Sequence, residues 1–341
     1  MKQMEEIRVE DKVIQVLMST YNGEKYLREQ LDSILEQDTV EKHGVKLKIL
    51  IRDDGSKDGT QKILDEYSNN YPEQIKWYQG NNKGVINSFF ELVEESDNKA
   101  SYYAFSDQDD YWHKDKLSAG IGIIDKMAVD SGNSIDNMPF LYCCSPLLVD
   151  ENLNEIDNKM TRRPKLAQFE NAVIENIVTG CTIIMNKGLR DMAKSHPPKF
   201  TVMHDWWFYL LASCYGKVYY DQKQYISYRQ HGSNTVGYNT SKIKEFSGRV
   251  KRFKGNRQNI TRQLEDFVRI YKLYLKENPE NIIFKSDEVK NKIKIAYNLV
   301  KYSRKVKYLP KRVSMLGKAG IFRQRKIDNL IFKLILLSGS Y

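Results

Sequence analysis

Apolar and polar positions alternate in blocks along the first half of the chain. Residues 13–19 (VIQVLMS) form an apolar run of strand length. Residues 24–36 follow with apolar side chains at Tyr26, Leu27, Leu31, Ile34 and Leu35, the spacing of one helix face. The strand pattern returns at 47–52, 75–78 and 102–106, and the helical pattern at 58–67, 84–94 and 114–127. Strand–helix alternation of this kind predicts an α/β domain, a Rossmann-like, mostly parallel central sheet with helices on both faces. In such sheets ligands bind beyond the carboxyl ends of the strands. Each predicted strand here runs into a polar cluster, STYNGE, RDDGSKDG, QGNNKG or SDQDD, so four clusters converge on one edge.

After Pro139 the alternation loosens. Residues 140–149, 180–185 and 225–228 read as strands, and 204–212 as an aromatic-rich helix. From Ser241 onward the pattern is helical, basic and amphipathic, which divides the chain into a catalytic region, 1–240, and a helical region, 241–341. Charge sharpens this division. The whole chain carries +10, but residues 241–341 hold 26 Lys+Arg against 8 Asp+Glu, or +18, leaving −8 for the first 240. A basic tail on an acidic body points to chemistry in the body and an anionic surface for the tail; the alternative is that these helices pack on the first 240 residues or form a homodimer. Apolar faces such as LIFKLILL favour an anionic membrane surface over nucleic acid.

Hydrophobic content of 41% and charged content of 29% exclude a disordered chain. The first residues, MKQMEEIRVE, lack the apolar core of a signal peptide, and no apolar run reaches the length of a spanning helix. Cys143, Cys144, Cys181 and Cys214 show no CxxC spacing and read as buried free thiols. The expected location is the cytoplasm, peripheral on the inner face of the cell membrane.

The sharpest chemical signal is SDQDD, which crowds Asp107, Asp109 and Asp110 at a strand end. Like charges this close need a counter-charge. A hard divalent cation, held by one or two carboxylates and otherwise by substrate phosphates and water, supplies one. DDGSKDGTQKILD approaches the EF-hand calcium pattern from Asp54, but Gln61 stands where an apolar residue closes that loop, and a strand precedes it. Read instead as a strand-to-helix turn, with Ser56 or Asp58 as cap, it leaves Asp53 and Asp54 unexplained. HDWW places Asp205 at a helix start with Trp206 and Trp207 beside it, and RQHGSNT contains His231. Neither a Walker loop nor GxGxxG occurs.

TYNGE, RDDGSKDGT, FSDQDDYW, HDWW and YRQHGSN, in that order, resemble the family 2 glycosyltransferases of the GT-A fold over roughly residues 13–240. The FSDQDD and YRQHGSN forms are most similar to bacterial rhamnosyltransferases that build cell-wall and capsular rhamnose polysaccharides. The resemblance implies a nucleotide-sugar pocket lined by Thr20, Tyr21, Asn22 and Glu24, with an acid of the Asp53–Asp54 pair accepting from a pyrimidine N3–H. It implies that Asp107 faces ribose and metal, that Asp109 and His231 help hold Mg²⁺ or Mn²⁺, and that Asp205 is the catalytic base. Trp206 and Trp207 would wall the acceptor sugar. Ser88 stands where relatives usually carry Asn, and His204 replaces a common Glu. The implied reaction is inverting transfer of a sugar, L-rhamnose from dTDP-β-L-rhamnose in the first instance, to a hydroxyl of a lipid-linked saccharide. Another donor such as a UDP-hexose, or a nucleotidyl or phosphoryl transfer on the same acids, is the alternative.

Overall fold

A computed structural model of the chain describes residues 12–134, 136–156, 165–232, 242–303, 308–318 and 320–339. The elements run β1 (Val13–Thr20), α1 (Leu27–Leu35), α2 (Thr39–His43), β2 (Lys46–Asp53), α3 (Thr60–Asn70), β3 (Ile75–Gln79), α4 (Gly84–Glu95), β4 (Tyr102–Ser106), β5 (Tyr111–Trp112), α5 (Lys116–Ser131), β6 (Phe140–Cys144) and β7 (Leu147–Val149). They continue with α6 (Phe169–Ala172), β8 (Ile184–Asn186), α7 (Lys187–Ser195), α8 (His204–Tyr215), β9 (Lys217–Asp221) and β10 (Ile226–Arg229). The helices α9 (Lys242–Glu277), α10 (Ile282–Lys285), α11 (Asp287–Tyr302), α12 (Leu309–Lys318) and α13 (Lys326–Ser338) close the described chain.

Seven strands form the main sheet in the order β3-β2-β1-β4-β8-β6-β9. β1 pairs in parallel with β2 and β4, and β2 with β3, while β8 runs antiparallel between β4 and β6. Along β1 the side chains alternate as a pleat requires. Ile14, Val16 and Met18 enter one core with Leu27, Leu31 and Ile34 of α1 and Ile121 of α5. Leu17 enters the other core, with Phe89 of α4 and the residues of α8. All twelve residues of α8 are buried, so this helix is apolar all round and sits between layers.

The expected strand at 140–149 is two strands. Ser145 and Pro146 break it, β6 staying in the main sheet while β7 joins β5 and β10 in a second, three-stranded one. That small sheet folds the residues around Trp112 and Arg229 back under the acidic loop. Residues 180–185 resolve into a single 3-10 turn, Gly180–Thr182, before β8. The expected division near 240 lies outside the described residues. Leu264, Phe267 and Ile270 of α9, Ile293 of α11, and Phe332 and Leu336 of α13 are buried in the same core as α8. The described part of the basic region therefore covers one face of the sheet domain.

Candidate active site

The parallel register puts Thr20 beside Asp53, so the loops after β1 and β2 are neighbours. They clasp each other. Asn22, in a left-handed conformation (φ 49°), donates its backbone N–H to Ser56 Oγ (2.8 Å) and accepts from the Lys57 N–H (2.8 Å). Glu24 accepts from the Gly59 N–H (2.8 Å). Asn22 and Glu24 thus tie the STYNGE loop to the DDGSKDG loop, while Tyr21 stays 47% exposed at the rim.

Asp53 and Asp54 help to build these loops. Asp53 is wholly buried and accepts from Thr20 Oγ1 (3.2 Å), Gln61 Nε2 (2.9 Å), and the backbone and hydroxyl of Ser56. Asp54 accepts from Arg52 (2.5 Å) and from the N–H groups of Lys83 and Gly84 (2.9 Å each), which fixes the start of α4. Two carboxylate oxygens offer about four acceptor positions, and Asp53 has four donors. Asp53 therefore has no acceptor position left for a base, whereas Asp54, with three donors, keeps one, so the expectation that one acid of the pair accepts from the base falls on Asp54. Ser88, also marked by the sequence, is buried between Ser19 Oγ (2.7 Å) and Arg52 (3.0 Å).

The acidic loop follows β4. Its four polar residues point to four different partners. Asp107 is partly exposed, next to Asp110 and Cys181, and one ligand atom from each of the three lies within 4.8 Å of the others. Gln108 brackets Tyr21, accepting from its N–H (2.7 Å) and donating to its carbonyl (3.1 Å). Asp109 pairs with His231 Nε2 (2.8 Å). Asp110 is fully buried and accepts from the Arg229 N–H (3.1 Å). The Arg229 guanidinium donates to the carbonyls of Asp109 (2.8 Å) and Glu151, pairs with Glu29, and stacks over Tyr26 at 4.5 Å. Burial, then the charges of Asp109 and Asp205, pushes Asp107 up to about 7. Burial, then Asp109 and Asp107, holds Asp110 well above the carboxylate range. Buried Lys116, over the Trp112 ring at 3.3 Å, is drawn down to about 8 by the same desolvation.

Asp109 and His231 therefore form one pair among the expected metal ligands, and Asp107, grouped with Asp110 and Cys181, lies within reach of the Asp109 charge. Carboxylate oxygens that raise one another's pKa in a cleft suit a hard divalent cation. Burial keeps the Cys181 thiol well above its ordinary value, so the oxygens are the better donors.

Asp205 stands in the first turn of α8. The residue at the cap position is Met203, so Asp205 does not serve as the cap. Its Oδ1 accepts from Asn176 Nδ2 (2.9 Å) and from the Trp206 N–H (2.6 Å). Burial pushes its carboxyl up to about 7, and its charge reaches Asp107. His204 stacks on Phe89 at 4.1 Å and meets Phe105 edge-on. Burial pulls it down to about 3, so it is a neutral core imidazole. A Cβ on Gly180 would lie 2.8 Å from His204 Nε2, which explains a glycine where this turn passes the start of α8.

The two tryptophans do not form the expected sugar wall. Trp207 has no exposed surface and packs edge-on against Phe267 of α9. Trp206 is 7% exposed, and its Nε1 donates to the Ala172 carbonyl (2.6 Å). An all-buried helix turns both rings inward. Sequence reasoning missed Asn176, Arg229, Gln108 and Cys181. Arg229 and Gln108 lie inside the quoted motifs, but nothing in NAVIENIV singles out Asn176.

The glycosyl transferase family 2 model matches residues 15–191 of this chain. A dTDP-rhamnosyl transferase from Shigella flexneri, RfbG, is 32% identical over 69% of this chain and 77% of its own. The chain belongs to glycosyl transferase family 2. An uncharacterised glycosyltransferase of Rickettsia typhi is 23% identical over 69% of each chain. Among solved structures, S. aureus TarS 1-349 in complex with UDP-GlcNAc aligns with a TM-score of 0.50 at 17% identity, covering 84% of this chain and 91% of that one. The likeness supports the GT-A-like arrangement, and this family 2 member is a glycosyltransferase.

Proposed function

We propose that this glycosyltransferase is an inverting, metal-dependent enzyme that moves L-rhamnose from dTDP-β-L-rhamnose to a hydroxyl of a growing lipid-linked cell-wall or capsular polysaccharide. The observation that carries the reading is the approach of two acidic groups, Asp205 at the start of α8 and Asp107 in the loop after β4, close enough for the charge of one to act on the other. The rhamnosyl donor draws its support from the 32% identity to a dTDP-rhamnosyl transferase.

In this reading Thr20, Tyr21, Asn22 and Glu24 shape the donor pocket, and Asp107, Asp109 and His231 would hold Mg²⁺ or Mn²⁺. That cation would neutralise charge on the departing diphosphate. Asp205 takes the proton of the acceptor hydroxyl. Asn176 and the Trp206 N–H hold its Oδ1, and the Gly180 backbone also hydrogen-bonds the carboxyl, so its orientation is fixed. A pKa near 7 lets the carboxylate accept a proton and still be ionised at neutral pH. Attack from the face opposite the leaving group inverts the anomeric carbon, giving an α-rhamnoside from a β-linked donor.

Thermal melting against dTDP-rhamnose, UDP-GlcNAc and their nucleoside diphosphates, each with and without Mn²⁺, tests the reading. A manganese-dependent shift for dTDP-rhamnose well above that for UDP-GlcNAc supports it. A larger shift for UDP-GlcNAc replaces the donor, and shifts indifferent to manganese remove the metal.

A further inference from the structure

The last described helix is apolar on two faces. Phe332 and Leu336 of α13 are buried in the core. Ile327 (59%), Leu330 (58%), Ile331 (40%) and Leu334 (59%) are exposed, and their spacing of three, four and seven residues puts them along one side. On α12, which packs against α13, Leu309 (43%) and Val313 (55%) are exposed one turn apart. Between 308 and 339 the sequence holds seven basic residues and one acidic residue. Lys311 and Lys326 are exposed, whereas Arg312 is buried, donating to the carbonyls of Tyr302 and Leu337 (3.1 Å each). An exposed apolar helix face among lysines fits a lipid interface with anionic headgroups. A second copy is the poorer occupant, because two regions of +18 repel.

The same helix is fastened beside the base. Gln324, two residues before α13, accepts from the Leu166 N–H (3.1 Å) and donates to the Leu166 carbonyl (2.8 Å). The Gln324 N–H donates to Glu175 (2.7 Å), whose chain neighbour Asn176 holds Asp205. We infer that the solvent faces of α12 and α13 dock on an anionic lipid surface, setting the Asp205 side of the cleft next to that surface. There an acceptor carried on a lipid would meet the base. The docking stands on the exposed face alone, and only the acceptor consequence rests on the proposed function. No helix among the described residues is long and apolar enough to cross a membrane, so the contact is in-plane.

Flotation of the full chain with vesicles of phosphatidylcholine, alone or mixed with phosphatidylglycerol, tests this. The expected result is binding to the anionic vesicles only, weakened by salt. Leu330→Ser with Leu334→Ser should cut the bound fraction at least about tenfold. Val129→Ser, at a position 79% exposed on α5, should leave it unchanged. Melting temperature and the manganese-dependent donor shift of the double variant should match those of the parent, so a failure of docking is separable from a failure of the donor reading. Absence of binding to anionic vesicles at low salt overturns the inference, as does equal binding by the double variant. A dimer that the double variant abolishes, without vesicle binding by the parent, also overturns it.

Discussion

Replacing Asp205 by Asn keeps the shape of the side chain and an oxygen for Asn176 and the Trp206 N–H, but removes the basicity. Activity and stability should then move in opposite directions. A general base contributes typically 10²–10⁴-fold, so release of nucleoside diphosphate from the donor in the presence of acceptor should fall at least about a hundredfold. Donor binding should persist. Stability follows from the raised carboxyl. In the folded protein Asp205 titrates near 7, against an ordinary value of 3.8. Between these values the native state holds a proton that the unfolded chain has released, so stability falls as pH rises and the loss is complete above 7. At 1.36 kcal/mol per pH unit the interval is worth at most about 4 kcal/mol. The Asn variant carries no such cost. It should melt with the parent at pH 4 and above it at pH 8, by up to about 6 °C in a chain of 341 residues. Calorimetry across that range, with turnover on the same samples, measures both. The parent's kcat/KM should also fall about tenfold per pH unit below 7. Near-normal turnover in the variant would place the base elsewhere. A melting difference that ignores pH would refute the account of burial.

Three further substitutions probe the rest of the cleft. Asp109→Ala should abolish the manganese-dependent melting shift with donor, and turnover in excess chelator should fall to background; normal turnover in either case would remove the cation from the mechanism. Arg229→Met should cost on the order of 1–2 kcal/mol, by denaturant unfolding, because the carbonyls of Asp109 and Glu151 lose their donor in a partly buried setting; an unchanged midpoint would mean that the acidic loop is held by other contacts. Trp207→Ala should lose about 3–5 kcal/mol as a core cavity, yet leave acceptor KM unchanged in the folded fraction. A raised KM with little loss of stability would restore Trp207 as a sugar wall.

The alternating half of the fold was legible because the inner parallel strands β1, β2 and β4 are largely buried on both faces and each helix shows one apolar stripe. The same signal explains the success at the sheet edge. β1, β2 and β4 are adjacent and parallel, so their following loops had to meet. Legibility failed where tertiary contacts decide. β5 has two residues, too short to show a period, and β9 mixes Lys217 and Asp221 with aromatics. HDWW marked the right helix start, but periodicity says nothing of direction in a helix buried all round, and both tryptophans point inward.

The acidic loop shows the deeper limit. Sequence spacing suggested Asp107 and Asp109 as neighbours in function, since an x between two acids often sets two carboxylates on one ion. The structure gives each of them a partner more than 70 residues away, while the Asp109 charge still acts on Asp107. Asp109 is turned to His231, and Asp110 to the backbone of Arg229, both brought in by the second sheet. Asp107 is turned toward Cys181, delivered by the 3-10 turn ahead of β8. The partners of the crowded acids therefore come from both halves of the chain, the Arg229 backbone and His231 at the end of β10 and Lys116 under Trp112 in α5. Because Arg229 also grips Glu29 and Glu151, it links α1, the acidic loop and the small sheet in one contact set. The acids can stay crowded because this frame holds them, and the charge it leaves unbalanced is available to whatever binds in the cleft.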